Sequence, residues 1–269
     1  MLDFHNHMIP GVDDSSSLIE ESLAALRKMA EQGITHVITT PHFRASTLNR
    51  PDEFTGRMNE IDEAWEKLQS AVSESMLPLR LDRGVEMALD EPIVSPMDER
   101  VRLAGSRFML VEFPYFTIPP NSAQALAQLR AAGVTPIVAH PERYENLEKD
   151  LESLFLWKQS GAFLQLNAGS IAGEYGTRVE RNGWRCLEAG VVDFLSSDYH
   201  ARGNCLTALA KDRMEECGGS SHFRVLTTVN GERLLKGIDP APVSPLRRRA
   251  SGWKRLKRAF RMEGWPPAR

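Results

Sequence analysis

Short apolar segments alternate along the chain with longer segments whose apolar residues recur every three or four positions. The short segments have the length of strands, whereas the longer ones have the periodicity of amphipathic helices. Strands are predicted at residues 2–7, 35–40, 79–86, 108–112, 135–140, 163–167 and 191–196. A chain that repeats strand and helix in this way is typical of α/β proteins built from βα units.

The first predicted helix has recognisable ends. Ser17 and Glu20 have the sequence pattern of a capping box, and Gly33 provides the C-terminal stop. Its apolar face is formed by Ile19, Leu23, Leu26 and Ala30. The same reasoning predicts further helices at residues 53–73, 122–132, 147–160, 177–189 and 206–216.

Seven strands with intervening helices favour a closed α/β barrel over an open sheet, although periodicity alone does not distinguish the two. The length of 269 residues fits one barrel of this kind. We therefore predict a barrel domain at residues 1–238, followed by a basic C-terminal tail at residues 239–269.

Charge is distributed unevenly along the chain. The net charge is −3, but residues 240–269 contain nine Lys or Arg residues and one acid, Glu263, which leaves −11 on the rest of the chain. An acidic body argues against broad nucleic-acid binding. Three widely spaced cysteines, no apolar leader and no apolar run of about eighteen residues lead us to expect a cytoplasmic protein.

Histidine and acidic residues stand where the predicted strands end. These residues are His5, His7, His42, Glu86, Glu112, His140, Asp198 and His200. In a parallel barrel the carboxyl ends of all strands share one face, where barrel enzymes place their active sites. Five of the seven histidines fall there, so the sequence predicts one shared site.

The spacing of these residues favours metal binding. Residues two apart in a strand point to the same side, so His5 and His7 can reach one ion, as can Asp198 and His200. Imidazole and carboxylate groups are ligands for Zn, Mn, Fe and similar ions, and Asp14 would add another carboxylate. The set exceeds what one ion needs, which predicts two or three ions of the kind that assist phosphoryl transfer.

Each carboxylate has an ordinary explanation when it is taken alone. Glu86 and Glu112 would then be solvated residues at the barrel rim, and Asp13 and Asp14 would form a turn ahead of the first helix. The prediction of a metal site therefore depends on the whole set.

Two arginines follow the predicted ligands closely. Arg143 lies three residues after His140, and Arg202 lies two residues after His200. A guanidinium group matches the oxygens of a phosphate in bidentate geometry. We predict that Arg143 contacts the phosphate of a substrate, whereas for Arg202 a surface salt bridge is an equal alternative.

A series of motifs occurs in a fixed order along the chain: Asp3-Phe-His5-Asn-His7, Thr40-Pro-His42, Gly84-Val-Glu86, Ala139-His140-Pro-Glu-Arg143 and Ser197-Asp198-Tyr-His200. Together they resemble the PHP (polymerase and histidinol phosphatase) superfamily. Within it they are similar to the CpsB/CapC family, the bacterial metal-dependent tyrosine phosphatases of capsule and exopolysaccharide biosynthesis. The resemblance extends from residue 1 to about Lys236.

The resemblance implies a distorted TIM-like (β/α)7 barrel, the PHP fold, that holds two or three divalent ions. Mn is the expected metal, with Fe, Co or Zn as alternatives. Matched by position, the ligands fall into groups for three ions: His5, His7, Glu86 and Asp198; Glu86, Glu112 and His140; Asp14, His42 and His200. Arg143 matches the family's phosphate contact. The second arginine of the family lies further along the chain than Arg202, so the role of Arg202 stays open.

The resemblance also implies a substrate, phosphotyrosine on a protein, in particular on a membrane-associated tyrosine autokinase that controls polysaccharide synthesis or export. Two alternatives remain open. A phosphatase for a small metabolite such as histidinol phosphate would use the same metals, and a metal-binding module without turnover would act only as an interaction partner. Glu21 and Ser22 resemble a segment that some relatives use to form oligomers, so assembly of subunits is also open.

The basic tail has apolar residues at helical spacing, namely Trp253, Leu256 and Phe260. This composition fits an amphipathic helix on anionic lipid, and it fits a solvated disordered tail equally well. The first alternative would bring the protein to the inner face of the membrane.

Overall fold

A computed structural model of the protein describes residues 1–93, 98–145, 147 and 151–247. Its strands are β1 (Leu2–Asp3), β2 (His36–Thr39), β3 (His42–Arg44), β4 (Arg80–Arg83), β5 (Glu86–Ala88), β6 (Phe108–Glu112), β7 (Thr135–Ala139), β8 (Phe163–Asn167) and β9 (Phe194–Ser196). All of these pair in parallel, in the orders β1-β2-β4 and β3-β5-β6-β7-β8-β9.

Helices connect the strands. They are α1 (Ile19–Glu31), α2 (Ala45–Leu48), α3 (Pro51–Ser75), α4 (Ser122–Ala131), α5 (Glu152–Gln159), α6 (Ala168–Ala172), α7 (Gly176–Ala189), α8 (Thr207–Glu216), α9 (Ser220–Arg224) and α10 (Asn230–Leu235). A π-helical turn, Val225–Val229, joins α9 to α10, and short 3-10 turns lie at Glu99–Val101, Leu103–Gly105, Pro114–Phe116 and Pro141–Arg143. The predicted helices are confirmed, with ends that differ by a few residues.

The two sheets form one distorted barrel. At the bends from β2 to β3 and from β4 to β5 the pairing continues, because Gly84 donates its N–H to Thr39 (2.9 Å) and Glu86 donates to Pro41 (3.0 Å). The first segment meets the last strand through the Asp198 N–H, which donates to the His5 carbonyl oxygen at 2.7 Å. The expectation of a closed barrel over an open sheet is therefore confirmed.

Two predicted strands are interrupted. The segment at 79–86 bends at Gly84, where a Cβ atom would lie 3.0 Å from the carbonyl oxygen of Arg102 and 3.1 Å from the Cα of Leu103. The segment at 2–7 keeps regular pairing only in β1 and then makes a single bridge between Asn6 and Tyr199. Both interruptions fall next to predicted metal ligands.

The cap of α1 differs from its prediction. The N-cap residue is Leu18, and the Glu21 carboxylate accepts hydrogen bonds from the backbone N–H groups of Ser17 (3.0 Å) and Leu18 (3.4 Å). The prediction of a Ser17–Glu20 box was wrong because the helix begins one residue later, which places Glu21 at the third helical position.

Two apolar layers hold the barrel together. Alternate residues of each strand point to opposite sides. One cluster, inside the barrel, is made by Leu2, Phe4, Ile38, Leu103, Phe108, Leu110, Ile137, Ala139, Phe194 and Leu234. Met109, Val111 and Val138 belong instead to the larger cluster that includes the helices. Leu234 of α10 closes the inner cluster at the end of the barrel opposite to the site described below.

The segment after α10 packs on the barrel as far as the described residues extend. Leu246 is 3% exposed and donates its N–H to the Leu187 carbonyl oxygen at 2.9 Å. The Asn230 side chain accepts a hydrogen bond from the Ala241 N–H at 2.7 Å. The predicted amphipathic part of the tail, with Trp253, Leu256 and Phe260, lies outside the described residues. Within the described part of the chain, no helix is long and apolar enough to cross a membrane.

Candidate metal centre

All nine predicted ligands lie together at the carboxyl-terminal face of the barrel. Their side-chain nitrogen and oxygen atoms form four overlapping groups, and within each group the atoms lie within 4.8 Å of one another. These groups are His7, Asp14, His42 and His200; His5, His140 and Asp198; His5, His7 and Glu86; and His42, Glu86 and Glu112. The overlap makes one continuous cluster, and the assignment of each side chain as a metal ligand stays a prediction.

The innermost part of the cluster is fully buried. His5 directs Nε2 at Glu86 Oε1 (3.1 Å) and at Asp198 Oδ1 (3.3 Å). His7 directs Nε2 at Glu86 Oε2 (3.5 Å) and at the same Asp198 oxygen (3.5 Å). Two imidazoles from the first segment therefore face two carboxylates from opposite sides of the barrel.

Glu86 is shared with a second part of the cluster. His140 Nε2 lies 3.0 Å from Glu86 Oε1 and 3.6 Å from Glu112 Oε2. His42 Nδ1 lies 3.0 Å from Glu86 Oε2. With His5 and His7 included, four imidazole groups lie within 3.5 Å of the Glu86 carboxylate, which places Glu86 at the centre of the site.

A third part opens to solvent. Asp14 Oδ1 lies 3.4 Å from His200 Nε2 and 3.6 Å from His42 Nε2. The rings of His7 and His200 stack with their centroids 4.0 Å apart. The side chain of Asp14 is 67% exposed, whereas that of His7 is fully buried. The cluster is therefore open to solvent on the side of Asp14 and His42.

Two polar residues that the sequence analysis did not select orient the first histidines. Gln165, in β8, lies 2.8 Å from His5 Nδ1 through its Oε1 atom. Asp13 lies 2.8 Å from His7 Nδ1 through its Oδ2 atom. An acceptor at Nδ1 fixes the proton there and leaves Nε2 free to bind a metal. Asp13 had been interpreted as a turn residue, whereas its position six residues after His7 brings it to the ring.

Asn167 and Arg143 hold Asp198 from the other side. The Asn167 amide donates to Asp198 Oδ2 at 2.7 Å, and the Arg143 guanidinium donates to the same oxygen at 2.9 Å. The second oxygen of Asp198 remains directed at the two histidines. Gln165 and Asn167 stand two apart at the end of an otherwise apolar strand, which is the pattern from which both could have been identified.

Arg143 lies between two aromatic rings. Its Cζ atom is 4.3 Å from the ring centroid of Phe116 and 4.8 Å from that of Tyr175. Such cation–π contacts restrict the guanidinium and are typically worth roughly 0.5–2 kcal/mol each. Arg143 is therefore held at the edge of the cluster, and its contact with phosphate stays a prediction.

Arg202 has a different environment. It donates a hydrogen bond to the Ser15 carbonyl oxygen at 3.0 Å. With Lys28 and Ser17 it lines a small cleft of about 270 Å³. Arg202 thus ties the loop that follows Asp13 and Asp14 to the segment after His200, and its contact with phosphate stays a prediction.

The charges of the cluster are strongly coupled. Burial raises the pKa of Glu86, but His5, His140 and His42 outweigh burial and hold this pKa well below its ordinary value. Burial likewise opposes ionisation of Asp198, and His5 and His7 hold its pKa well below the ordinary range. Burial lowers the pKa of His5, whereas Glu86 and Asp198 together raise it well above normal.

The pKa of Glu112 is shifted in the opposite direction from the pKa values of Glu86 and Asp198. Burial and the negative charge of Glu86 raise the pKa of Glu112 to about 7. A bound cation stabilises the ionised form of neighbouring carboxylates, because its positive charge offsets the repulsion between them. In addition, His5 Nε2, His7 Nε2 and Glu86 Oε2 are buried and make no well-aligned hydrogen bond, although their ion-pair partners lie 3.0 to 3.5 Å away. Buried polar atoms are normally satisfied. These residues fit divalent metal ions.

Backbone strain accompanies the ligands. His140 has φ +34° and Asp198 has φ +54°, in the left-handed region that residues other than glycine rarely adopt. Such conformations cost about 1–3 kcal/mol each and concentrate at functional sites. In this barrel they turn a strand end sharply, so that the side chain faces the cluster.

Similarity to known proteins agrees with this geometry. The family model described as capsular polysaccharide synthesis, CpsB/CapC, matches residues 1–236. The chain belongs to this family. The resemblance seen in the motifs is thereby confirmed over most of the barrel.

Two curated relatives in the CpsB/CapC family are named as phosphatases. Tyrosine-protein phosphatase YwqE of Bacillus subtilis is 28% identical over 255 residues, covering 93% of this chain and 98% of the relative. The putative tyrosine-protein phosphatase CapC of Staphylococcus aureus is 29% identical over 208 residues, covering 76% of this chain and 78% of the relative. These names support the prediction of a tyrosine phosphatase over that of a histidinol-phosphate phosphatase.

A solved structure shares the fold. It is described with YwqE from Bacillus subtilis and CpsB from Streptococcus pneumoniae as unique metal-dependent tyrosine phosphatases. It superposes with a TM-score of 0.77 at 26% identity, covering 93% of this chain and all of the other. The distorted barrel is therefore the fold of a family with metal-dependent members.

Proposed function

We propose that this protein is a metal-dependent protein-tyrosine phosphatase with two or three divalent ions, Mn being the resident metal. The observation that carries the proposal is the convergence of histidine and carboxylate groups on Glu86 beside the guanidinium of Arg143. The names of the relatives in the family support the same activity.

The protein's own residues prepare the site for phosphate. Gln165 and Asp13 fix the tautomers of His5 and His7, so that the Nε2 atoms of both rings are available as ligands. Divalent ions, when bound, supply charge neutralisation at phosphorus and lower the pKa of water to near neutrality. The ligand set combines carboxylate oxygens with imidazole nitrogens and contains no thiolate, which suits Mn, although the same groups also bind Fe, Co and Zn.

Arg143 is the residue that we propose for binding the phosphate. Its ring contacts with Phe116 and Tyr175 limit the positions of the guanidinium. Its hydrogen bond to Asp198 keeps one NH2 group of the guanidinium at the cluster. A phosphate bound there would either replace Asp198 as the partner of the Arg143 guanidinium or share the guanidinium with it. Positioning of this kind accounts for much of the catalysis of phosphoryl transfer. The leaving tyrosyl oxygen has an ordinary pKa near ~10 and departs with little help from a proton donor.

Hydrolysis of a phosphotyrosine peptide with and without added Mn tests this proposal. We expect chelation to abolish turnover and Mn to restore it. Arg143→Lys keeps a positive charge but loses the planar fork, so kcat should fall by about 100-fold. Arg27→Lys, on the exposed face of α1, is the matched control and should behave like the wild type.

Histidinol phosphate serves as the competing substrate in the same assay. A kcat/KM for histidinol phosphate above that for the peptide would contradict the proposal. Turnover that survives both chelation and a His140→Ala substitution would reject the metal mechanism. A protein that binds Mn but hydrolyses neither substrate would instead be the metal-binding module considered from the sequence.

The natural substrate that we propose is a membrane-associated tyrosine autokinase of polysaccharide synthesis. A basic tail would hold the phosphatase near such a kinase, because residues 248–269 contain eight Lys or Arg residues and one acid, and each basic residue near anionic lipid contributes about 1 kcal/mol.

Sedimentation with anionic vesicles tests the role of the tail. Because Leu246 is packed on the barrel, the truncation should begin at residue 248 and leave the barrel intact. We expect the full chain to sediment with anionic vesicles and remain free of neutral ones, and the truncated chain to bind neither. Equal sedimentation of the two chains would reject the idea.

A further inference from the structure

An open groove leads away from the metal cluster. It encloses about 700 Å³ and shares Asp14, His42 and Glu112 with the cluster. Its further lining includes Arg44 and Tyr115. The groove exceeds the needs of a phosphate group alone, so most of it is available to the part of a substrate that does not react.

Tyr115 stands out among the residues of this groove. Its side chain is 93% exposed, the highest value among the exposed large hydrophobic residues of the described chain. It follows Glu112 by three residues, in the 3-10 turn Pro114–Phe116. An aromatic ring held almost entirely in water at the mouth of a site is typical of a recognition surface.

The backbone of this turn is strained. Tyr115 has φ +59° and Phe116 has φ +51°, so two consecutive aromatic residues lie in the left-handed region. Residues other than glycine keep such conformations only where the surrounding structure enforces them, and they concentrate at functional sites.

The strained turn directs its two rings to different places. Phe116 covers the Arg143 guanidinium and contacts the His140 ring at 5.6 Å between centroids. The Phe116 carbonyl oxygen also accepts a hydrogen bond from the Glu145 N–H at 2.8 Å, which fixes the turn. Tyr115 is left in the groove. The turn therefore links the arginine at the cluster to the exposed ring outside it.

We propose that Tyr115 contacts the polypeptide that flanks the phosphotyrosine of the substrate and so selects a protein over a small phosphate ester. This rests on the proposed phosphatase function. The groove is continuous with the metal cluster, and its walls carry both signs of charge, with Arg44 near Asp90. A mixed polar groove with an exposed tyrosine matches an extended peptide, whose backbone and side chains offer both polar and apolar groups.

Steady-state kinetics with two substrates tests the assignment. One substrate is a phosphotyrosine peptide with several residues on each side of the tyrosine, and the other is p-nitrophenyl phosphate. Tyr115→Ala should lower kcat/KM for the peptide by about five- to tenfold, mostly through KM, because an aromatic contact of this kind is lost. Hydrolysis of p-nitrophenyl phosphate should stay unchanged, because the small ester does not reach Tyr115.

Two further variants separate the ring from the backbone. Tyr115→Phe keeps the ring and should retain most of the activity on the peptide. Tyr115→Asn removes the ring but tolerates the left-handed conformation, so it should behave like Tyr115→Ala. Met76→Ala is the matched control, since Met76 is 88% exposed with φ +50° but lies at the end of α3, outside the groove.

The possible results differ clearly. If Tyr115→Ala and Tyr115→Asn leave kcat/KM for the peptide within about twofold of the wild type, or lower both substrates equally, the inference is overturned while the phosphatase function stands. If the wild type hydrolyses p-nitrophenyl phosphate but no phosphotyrosine peptide, the proposed function fails and the inference fails with it.

Discussion

Asp13 contacts the ring of His7 and the backbone N–H of His42 (3.4 Å), and it accounts for the direction of the His7 ring. Its carboxylate accepts the Nδ1 proton of His7, and the Nε2 atom consequently faces Glu86 and Asp198. Asp13 Oδ1 also accepts the Ser15 N–H at 3.1 Å, which fixes the loop. We therefore expect the affinity for metal to depend on Asp13, which lies behind the predicted ligand His7.

Replacement of Asp13 tests this dependence. Asp13→Ala should weaken the binding of Mn by about 10- to 100-fold, because the loss of a group behind a metal-binding histidine has effects of this size. Isothermal titration of the metal-free protein measures the change. Asp212→Ala, at an exposed position in α8, is the control and should bind Mn as the wild type does. Equal affinities for the two variants would show that Asp13 has no part in the site.

The buried carboxyl group of Glu142 should by itself make the stability of the fold depend on pH. It is fully buried, and Oε1 accepts hydrogen bonds from the Ser170 hydroxyl (2.5 Å) and the Asn167 N–H (3.0 Å). Burial raises the pKa of Glu142 from 4.5 to about 7 in the folded protein. The Glu142 carboxyl group thus holds its proton more tightly in the folded state than in the unfolded state. The stabilisation that this proton provides is complete at a pH below the pKa of the unfolded state. It is lost as the pH rises through the pKa of the folded state.

Glu142→Gln should remove this loss, since glutamine resembles the protonated acid. Between roughly pH 5 and 8 the wild type should lose about 2–3 kcal/mol of unfolding free energy relative to the variant. Urea unfolding in the presence of chelator at several pH values measures the difference. Glu145→Gln, at an exposed position nearby, should follow the wild type, and parallel curves for all three proteins would exclude the effect.

The candidate metal ligands were easier to select from the sequence than the residues that contact them from behind. His5, His7 and His140 stand at strand ends, where an unpaired imidazole has few structural reasons to occur. Asp13 and Gln165 belong to residue types that are common in turns and at rims, so their role becomes visible only when the distance to a ring is known. The left-handed backbone conformation of Asp198 is likewise set by tertiary packing, so the neighbouring residues in the sequence do not predict it.

At the scale of elements, the contact between α10 and β1 closes the end of the barrel opposite to the candidate metal centre. A Cβ atom on Gly231 would lie 2.6 Å from the Cβ of Leu2. Leu2 is part of the inner cluster and is 6% exposed. Helix and strand therefore approach as closely as they do because position 231 has no side chain.

Gly231→Ala should destabilise the barrel by about 1–3 kcal/mol, the usual cost of overpacking, since the clash involves an atom next to the backbone. Gly56→Ala is the matched substitution in α3, where a Cβ would meet nothing within 4 Å, and should stabilise by about 0.5–1 kcal/mol. Thermal unfolding compares both variants. A Gly231→Ala variant as stable as Gly56→Ala would show that α10 adjusts its position.

Elements with a strong periodic pattern were predicted well, whereas bends within a predicted strand were not. The helix α3 and the strands β6 and β8 fall where the apolar pattern places them. The division of one predicted strand into β4 and β5 depends on the approach of Arg102 and Leu103 to Gly84. These residues are distant in sequence, so the pattern around Gly84 contains no information about them.

At the scale of the whole molecule, the predicted ligands come from six of the seven predicted strand segments, so bound ions would connect most of the barrel. Removal of the ions should therefore lower global stability as well as activity. At 100 times the dissociation constant a ligand stabilises by about 2.7 kcal/mol, which for a protein of this size raises Tm by roughly 5–10 °C. Thermal unfolding in chelator and after reloading with Mn measures this shift, with Mg as the comparison. Identical Tm values in chelator and in Mn would contradict the proposed site.

Closure of the barrel was the least accessible property of the sequence. Seven strand segments allowed an open sheet as well as a barrel, because closure depends on pairing between the first and last segments. The family resemblance favoured the barrel, and the contact of His5 with Asp198 confirms it. A single bridge at Asn6 and Tyr199 replaces regular strand pairing there, which no local pattern indicates.

The same closure has a consequence for synthesis of the protein. Phe4 donates its N–H to the Ser196 hydroxyl across 192 positions of sequence, and contacts between such distant residues form late. A growing chain emerges from the ribosome at about 5–20 residues per second, so His5 waits on the order of ten seconds or longer before Asp198 exists. During that time the early histidines have no complete set of partners. We therefore expect the metal centre to become complete only after the ring has closed, so that ions would bind at the end of folding.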